Sequence, residues 1–525
     1  MIRKELQNII EISLKELQKE KALPVFDIKS VNIETPENSF NGDYSTNIAM
    51  ILAKESQKSP REIAELIKNK CQNSKFIKKI ETAGPGFLNF FISKEFLEKE
   101  IGKILKKQKD FGKLNENKKS ISIEFICANP TGELHIGHGR GAFFGETLAN
   151  VFEKAGFKVS RIHYANDSKA SSQIKALGET ALGEGTTYLN PYLEEKINSL
   201  KSKLKNCKNE RDAGSLLAKE VQKDIKNFIR KKLNIKFDKW VSEEDDLYKT
   251  GEIDKVYDWL QKNDLIYEKD GAKWLKTSKY EDTKDWVLVR ETGAFTYLMP
   301  DIVYHKTRFD KKYNKIIDIW GADHQGHIQK IKAVAKMLGY KGEMIFLISQ
   351  VVRLKGEKMS KRKGKTITLD WLIREVGLDA VRFFYLMKSL DTHMDFDTDL
   401  AKEQSSKNPV YYVQYAYARI CSILRKSNPS KDKNISLVEE SEKELAKQLI
   451  RLPEVIEDTA LDYQIQRLPK YAMELAESFH RFYQKCQVIS EDKGLTGKRL
   501  SLVLATKIVL KKTLDLMGIS TPEKM

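Results

Sequence analysis

The stretch from Ile121 to Gly156 constrains the fold more than any other part of the chain. "ISIEFICA" is apolar and β-rich, and "ANPTGELHIGHGRG" (residues 128–141) then packs two histidines, four glycines and a proline into a turn. Phe144, Leu148, Val151, Phe152 and Ala155 follow at i, i+4, i+7, i+8 and i+11. That spacing predicts one apolar face of an α-helix, which Gly156 can close. Strand, tight turn and helix in that order are the repeating unit of a parallel sheet. "KIIDIWGA" and "EMIFLIS" supply further strands.

At 525 residues the chain is long enough for several domains, and the expected class is multidomain α/β. Residues 1–110 hold a helical start, the loop "ETPENSFNGDYSTN", the helix-like "PREIAELIKNKC" and the strand-like "AGPGFLNFFI", an α+β pattern. The basic "KILKKQKDFGKLNENKKS" reads as a linker. The sheet domain spans residues 118–398, with a lysine- and glutamate-rich helical insertion at about 181–245. After about Asp399 strand signals vanish, and Val413, Ala416, Ile420, Ile423 and Leu424 share one helical face. Residues 399–525 are therefore expected to form an all-α bundle.

No run of eighteen apolar residues occurs and "MIRKELQNII" is amphipathic rather than signal-like, so no membrane partner is expected and the compartment is read as cytoplasmic. Cys71, Cys127, Cys207, Cys421 and Cys486 form no CxxC pair. Such scatter argues against a disulfide framework and a zinc site, and for buried, inert thiols. The net charge of +18 fits a polyanionic partner, though a lysine-rich genome would give the same balance.

A glycine-rich turn between a strand and a helix N-terminus is an anion site, because free N–H groups and the helix dipole both favour negative charge. His135 and His138 lie three apart and share a face on the first helical turn, Gly137 leaves room for a flat base or phosphate, and Asn129 and Thr131 add hydrogen-bonding groups. A capped turn with two surface histidines is the competing reading. A second stretch, "RLKGEKMSKRKGKTITL", concentrates Lys355, Lys358, Lys361, Arg362, Lys363 and Lys365. It suits a departing pyrophosphate, or else is a solvated basic loop. Glu124 falls inside an apolar strand, a costly place for an unpaired carboxylate. A cationic ligand would account for it; an exposed edge strand is the alternative.

"HIGH" at His135–His138 and "KMSKR" at Lys358–Arg362 resemble the two signatures of class I aminoacyl-tRNA synthetases. "FICANPTGELHIGHGRGAFFGETLANV", "LMPDIVYH", "GADHQGH" and "NPVYYVQYAYARICSIL" resemble the arginyl-tRNA synthetases in particular, as do "GDYSTNIAM", "GPGFLNF" and the ending "GISTPEKM". The resemblance runs along nearly the whole chain and is weakest between about 181 and 280.

The resemblance implies a Rossmann-like catalytic domain and a two-step reaction. Arginine attacks the α-phosphorus of ATP, and the arginyl group then passes to the terminal adenosine of tRNA(Arg). Magnesium is expected on the phosphates and a monomer as the assembly. His135, His138, Lys358 and Lys361 would act on the phosphates, with Thr131, Gly137, Met359 and Ser360 completing the ATP site. L-arginine would be held by Glu124, Asn129, His135, Tyr297, Asp301 and Gln329, because a guanidinium pairs best with carboxylates. The N-terminal 110 residues would lie at the tRNA elbow, and the bundle would bind the anticodon. Asn408, Tyr412 and Tyr415 are the expected RNA contacts there, although helix packing is the commoner use of aromatics. Three rival readings remain open. A small nucleotidyltransferase would need neither end domain, a non-catalytic RNA-binding relative would break the signatures, and a synthetase for another amino acid would not need the acidic pair.

Overall fold

The computed structural model describes residues 1–27, 31–36, 38–71, 74–355, 367–427 and 435–525. The N-terminal unit joins α1 (Ile2–Lys19), α2 (Ile48–Ser56), α3 (Pro60–Cys71) and α4 (Lys94–Lys107) to a small antiparallel sheet. Its strands β1 (Tyr44–Thr46), β2 (Ile77–Ala83) and β3 (Phe87–Ile92) stand in the order β1-β3-β2. α1 is amphipathic, burying Ile2, Leu6, Ile10, Leu14 and Leu17. β1 lies within the stretch expected to be loop, because Tyr44 and Thr46 alternate inward and pair with β3.

The chain continues through β4 (Ser120–Glu124), α5 (Ile136–Lys154), β5 (Lys158–Ala165), α6 (Ser172–Leu182), α7 (Pro191–Leu204), α8 (Glu210–Lys231) and β6 (Lys239–Ser242). Next come α9 (Glu252–Lys262) and an antiparallel sheet of β7 (Ile266–Lys269), β8 (Ala272–Leu275) and β9 (Trp286–Val289). α10 (Leu298–Phe309), β10 (Lys315–Gly321), α11 (Ile328–Met337) and β11 (Glu343–Ser349) follow. Five of these strands form one parallel sheet in the order β11-β10-β4-β5-β6. Successive strands step one way from β4 to β6 and the other way from β4 to β11. That reversal opens a crevice beyond the carboxyl ends of β4 and β10.

β4 is the middle strand of five, so an exposed edge does not account for Glu124. The insertion of residues 181–245 is helical in α7 and α8, yet it also contains β6, an edge strand of the main sheet.

Beyond β11, β12 (Val352–Leu354) pairs in parallel with β13 (Met394–Phe396), and α12 (Leu369–Val376) and α13 (Leu378–Leu386) lie between them in the chain. The rest is helical, as the vanishing strand signals predict: α14 (Thr398–Lys402), α15 (Pro409–Lys426), α16 (Glu440–Ile450), α17 (Leu452–Asp462), α18 (Arg467–Lys485) and α19 (Lys493–Leu516). α15 buries Val413, Ala416, Ile420 and Ile423. One apolar core runs from α1 through α5 to α19, and a second packs α10 against β5, α9 and α11. The N-terminal unit is fastened to the bundle by charge: Arg3 pairs with Asp458 at 2.7 Å and Glu457 at 3.2 Å, and the Tyr44 hydroxyl donates to Glu454 at 2.9 Å.

The expectation of buried thiols holds for Cys71, Cys421 and Cys486; Cys207 is half-buried and Cys127 is exposed. No helix among the described residues is long and apolar enough to cross a membrane.

Candidate active site

A cavity of ≈ 2260 Å³ occupies the crevice beyond β4 and β10. Glu124, Asn129, His135, Gly137, His138, Tyr297 and Asp301 all line it. The turn after β4 brings the histidines in. His135 caps α5, and the two rings stack with centroids 3.7 Å apart. His135 Nδ1 accepts the Gly137 N–H, and His138 Nδ1 accepts the His135 N–H, each at 3.1 Å. Burial lowers the basicity of both rings, His138 to about 3, so both are neutral. A neutral imidazole that accepts at Nδ1 carries its proton on Nε2. The capped turn and the ligand site, alternatives in sequence, are therefore one structure: the cap fixes two N–H donors.

Gly137 serves this cap. A Cβ there would lie 2.9 Å from Cε1 of His135, so the imidazole folds over the space a side chain would take.

Glu124 corrects the sequence reading in a second way, because it has a protein cation of its own. It is 2% exposed, and Arg308 on α10 approaches it at 3.3 Å. Arg308 also binds Asp318 of β10 at 2.6 Å and donates from Nε to the Ser122 hydroxyl. His305 Nε2 meets Asp318 at 3.1 Å, and its Nδ1 meets the Asp301 carbonyl at 2.8 Å. Both ring nitrogens face acceptors, which favours the imidazolium; its basicity is raised by Asp318 against the opposing effect of burial. For Glu124, burial and then Asp318 raise the carboxyl while Arg308 lowers it. The exposed Cys127 thiol donates to the other oxygen of Glu124.

Asp301, by contrast, keeps part of its surface open, and no side-chain hydrogen bond from the described residues reaches its carboxylate. Burial pushes its carboxyl up to about 7, with Glu124 and Asp318 adding repulsion and His305 and Lys330 opposing it. A further carboxylate was not singled out in sequence. Glu243, in the single turn Glu243–Tyr248 after β6, lines the same cavity, accepts from Tyr164 at 2.7 Å and is pushed up to about 8 by burial. Its only signal was an acidic run, "EEDD".

Other expected residues fall elsewhere. Thr131 does not line the cavity. Gln329 is exposed on α11 and does not line it either. Its neighbour Lys330 is the inward residue, 3% exposed, donating to the Tyr297 hydroxyl at 3.0 Å from over the Trp286 ring. Lys358, Met359, Ser360 and Lys361 lie outside the described residues.

In the bundle, Asn408 is 4% exposed and caps α15; its amide donates to the carbonyls of Ala401 and Glu403, and its oxygen accepts from Val410. It is a structural cap and presents no free group to RNA. Tyr412 and Tyr415 stay half-buried at the surface, Tyr415 stacked on Tyr411 and bound by Arg419 at 2.6 Å, whereas Tyr417 is buried.

Three family models match the chain: the arginyl tRNA synthetase N-terminal domain over residues 4–92, the class I (R) tRNA synthetase catalytic domain over 100–173 and 188–394, and the DALR anticodon binding domain over 413–525. The arginine–tRNA ligase of Bacillus subtilis (strain 168) is 41% identical, covering 95% of both chains. That of Shouchella clausii (strain KSM-K16) is 40% identical over 100% of both. Among solved structures, the Thermus thermophilus arginyl-tRNA synthetase shares the fold with a TM-score of 0.80 at 22% identity, covering 100% of both chains. The Plasmodium falciparum one does so with a TM-score of 0.79 at 20% identity, covering 100% of this chain and 99% of its own.

Proposed function

The chain belongs to the arginyl-tRNA synthetase family, and on that premise we propose how its cavity divides the work between arginine and ATP. The protein is a ligase that uses ATP to attach arginine to tRNA(Arg). In our reading Asp301 is the principal partner of the substrate guanidinium, with Glu124 and Glu243 beside it, Tyr297 against the side chain and Asn129 at the α-amino end. The observation that carries this is the Asp301 carboxylate, held in the cavity without a protein cation bound to it.

The substrate carboxylate then attacks the α-phosphorus of ATP. His135 and His138 present Nε2–H donors to the phosphates, and Lys358 and Lys361 neutralise the pyrophosphate as it leaves. Placement and charge stabilisation do the chemistry, and no covalent enzyme intermediate is needed. Magnesium accompanies ATP. There it would offset the charge of the phosphates. Residues 1–110 serve the tRNA elbow, residues 118–398 the chemistry and residues 399–525 the anticodon, with Tyr412 and Tyr415 among the contacts. We place the protein in the cytoplasm, as a monomer.

Arginine binding tests the assignment through pH. The guanidinium requires the carboxylate form, and the Asp301 carboxyl stands at about 7 in the protein alone. Below that pH, binding must expel a proton, so affinity should fall by about tenfold per pH unit, and the fall should ease as pH rises through the ranges of Asp301 and Glu243, about 7 and about 8. Calorimetric titration between about pH 5.5 and 8.5, in buffers of different ionisation enthalpy, reads both the affinity and the released proton. An affinity that stays flat through pH 6 would remove Asp301 from the site.

The fixed tautomer gives a second test. His138→Asn keeps an acceptor near the Nδ1 position but loses the distal donor, whereas His138→Gln keeps a donor near Nε2. The asparagine variant should lose about 10²–10³ in the rate of arginine activation, as for other lost donors to developing charge, and the glutamine variant clearly less. Equal rates in the asparagine variant and wild type would leave the imidazole as a cap alone.

A further inference from the structure

Arg140 lies one turn into α5, two residues beyond the second histidine, and is 1% exposed. Its guanidinium contacts no carboxylate among the described residues. It donates from one nitrogen to the Gln350 carbonyl at 3.3 Å and from another to the Ser389 carbonyl, while Nε has no partner. Burial lowers its basicity, so the cation is held there against a desolvation cost that a methionine of similar length would not incur.

Both carbonyls occupy joints in the chain. Gln350 separates β11 from β12, and Ser389 opens the turn that leads into β13. The two strands pair in parallel, Val352 with Met394 and Leu354 with Phe396. Gln350 N–H donates to Leu390 at 3.0 Å and Met394 N–H to Val351 at 3.1 Å, closing the joint. β12 runs along the cavity through Lys355 and leads to residues 356–366, which carry the second signature.

The chain returns at Ile367–Leu369, and there the main chain itself is bonded to the histidine turn. Ile136 N–H donates to Ile367 at 3.1 Å and Leu369 N–H to Leu134 at 2.8 Å. One flank of the lysine segment is thus tied to the histidines by backbone. On the other flank the tie is Arg140.

We propose that Arg140 is a positioning residue for arginine activation: its fork across Gln350 and Ser389 sets the β12–β13 pair, and with it the leading flank of the lysine segment, at a fixed distance from His135 and His138. A guanidinium reaches two carbonyls from one rigid plane; an ammonium reaches one and holds it less firmly. The arginine pocket hangs on α10 and the end of β4, which this fork does not touch. The proposal rests on the reading that Lys361 serves the leaving pyrophosphate.

The test is arginine-dependent ATP–pyrophosphate exchange by the full-length protein with tRNA present, comparing Arg140→Lys, Arg140→Met, Lys361→Ala and the double variant Arg140→Lys/Lys361→Ala. A catalytic group misplaced by about 1 Å costs on the order of a hundredfold. Arg140→Lys should therefore lose about tenfold in kcat and Arg140→Met about a hundredfold, with the KM for arginine within about twofold of wild type. Adding Arg140→Lys to Lys361→Ala should cost less than about twofold further, because residues that serve the same step are not additive. Losses that multiply, or full activity in Arg140→Lys, overturn the proposal. If Lys361→Ala alone is silent, the assignment of that lysine fails, and Arg140 is then judged on the split alone. A lower kcat at unchanged arginine KM upholds its role, and a parallel loss of both with a lowered Tm makes it merely structural.

Discussion

Asp301→Asn should bind arginine hundreds to thousands of times more weakly than the wild type, while ATP affinity and Tm stay close to it. The substitution keeps shape and removes charge, and the side chain lost no protein hydrogen bond that could report as instability. Stranding one member of a buried charge pair costs about 3–5 kcal/mol. Here the stranded member is the ligand's guanidinium, so the cost appears in Kd rather than in folding. Citrulline, the neutral isostere of arginine, is the control; its much weaker binding should change far less. Calorimetry on both ligands decides the matter, because equal losses would make Asp301 a structural residue.

Arg308→Met should have the largest effect on stability. It leaves Glu124 without a bound cation and Asp318 with His305 alone, the two carboxylates being 2% and 0% exposed. At pH 7–8 we expect a loss of about 3–5 kcal/mol in unfolding free energy, measured as a shift of the urea midpoint. The sign of its pH dependence follows from burial. Asp318 is held low by Arg308 and His305 against desolvation. Without Arg308 burial dominates and raises the folded-state carboxyls, and stability then declines as pH rises through their new range. The deficit should accordingly shrink at pH 5. A midpoint that matches wild type at pH 8 would mean that Glu124 and Asp318 are already protonated in the folded protein.

Much of the candidate site was legible because it is local. Glu124, Asn129, His135 and His138 follow one strand and one turn, and Tyr297 and Asp301 are separated by one helical turn, so a motif captures each set. The α5 helix was equally legible from its apolar period. What escaped is held together across the chain. Arg308 reaches Glu124 over 184 residues, and Tyr164 reaches Glu243 over 79; no local pattern encodes such pairs. Gln329 stands exposed on α11, about 100° of helical rotation from the buried Lys330, and neither side chain lines the cavity. The cap role of Asn408 was readable: an asparagine followed by proline at the start of an apolar helical run is a cap signal.

The contacts of Arg3 and Tyr44 with α17 carry a consequence in time. Their partners lie 410 to 455 residues downstream. At about 5–20 residues per second on the ribosome, the face that receives them emerges roughly 20–90 s after Arg3 does. During that interval the Arg3 guanidinium and the Tyr44 hydroxyl lack the carboxylates they bind in the finished protein, and Arg3 is solvated. A synthesis that stops before α17 leaves both without those partners.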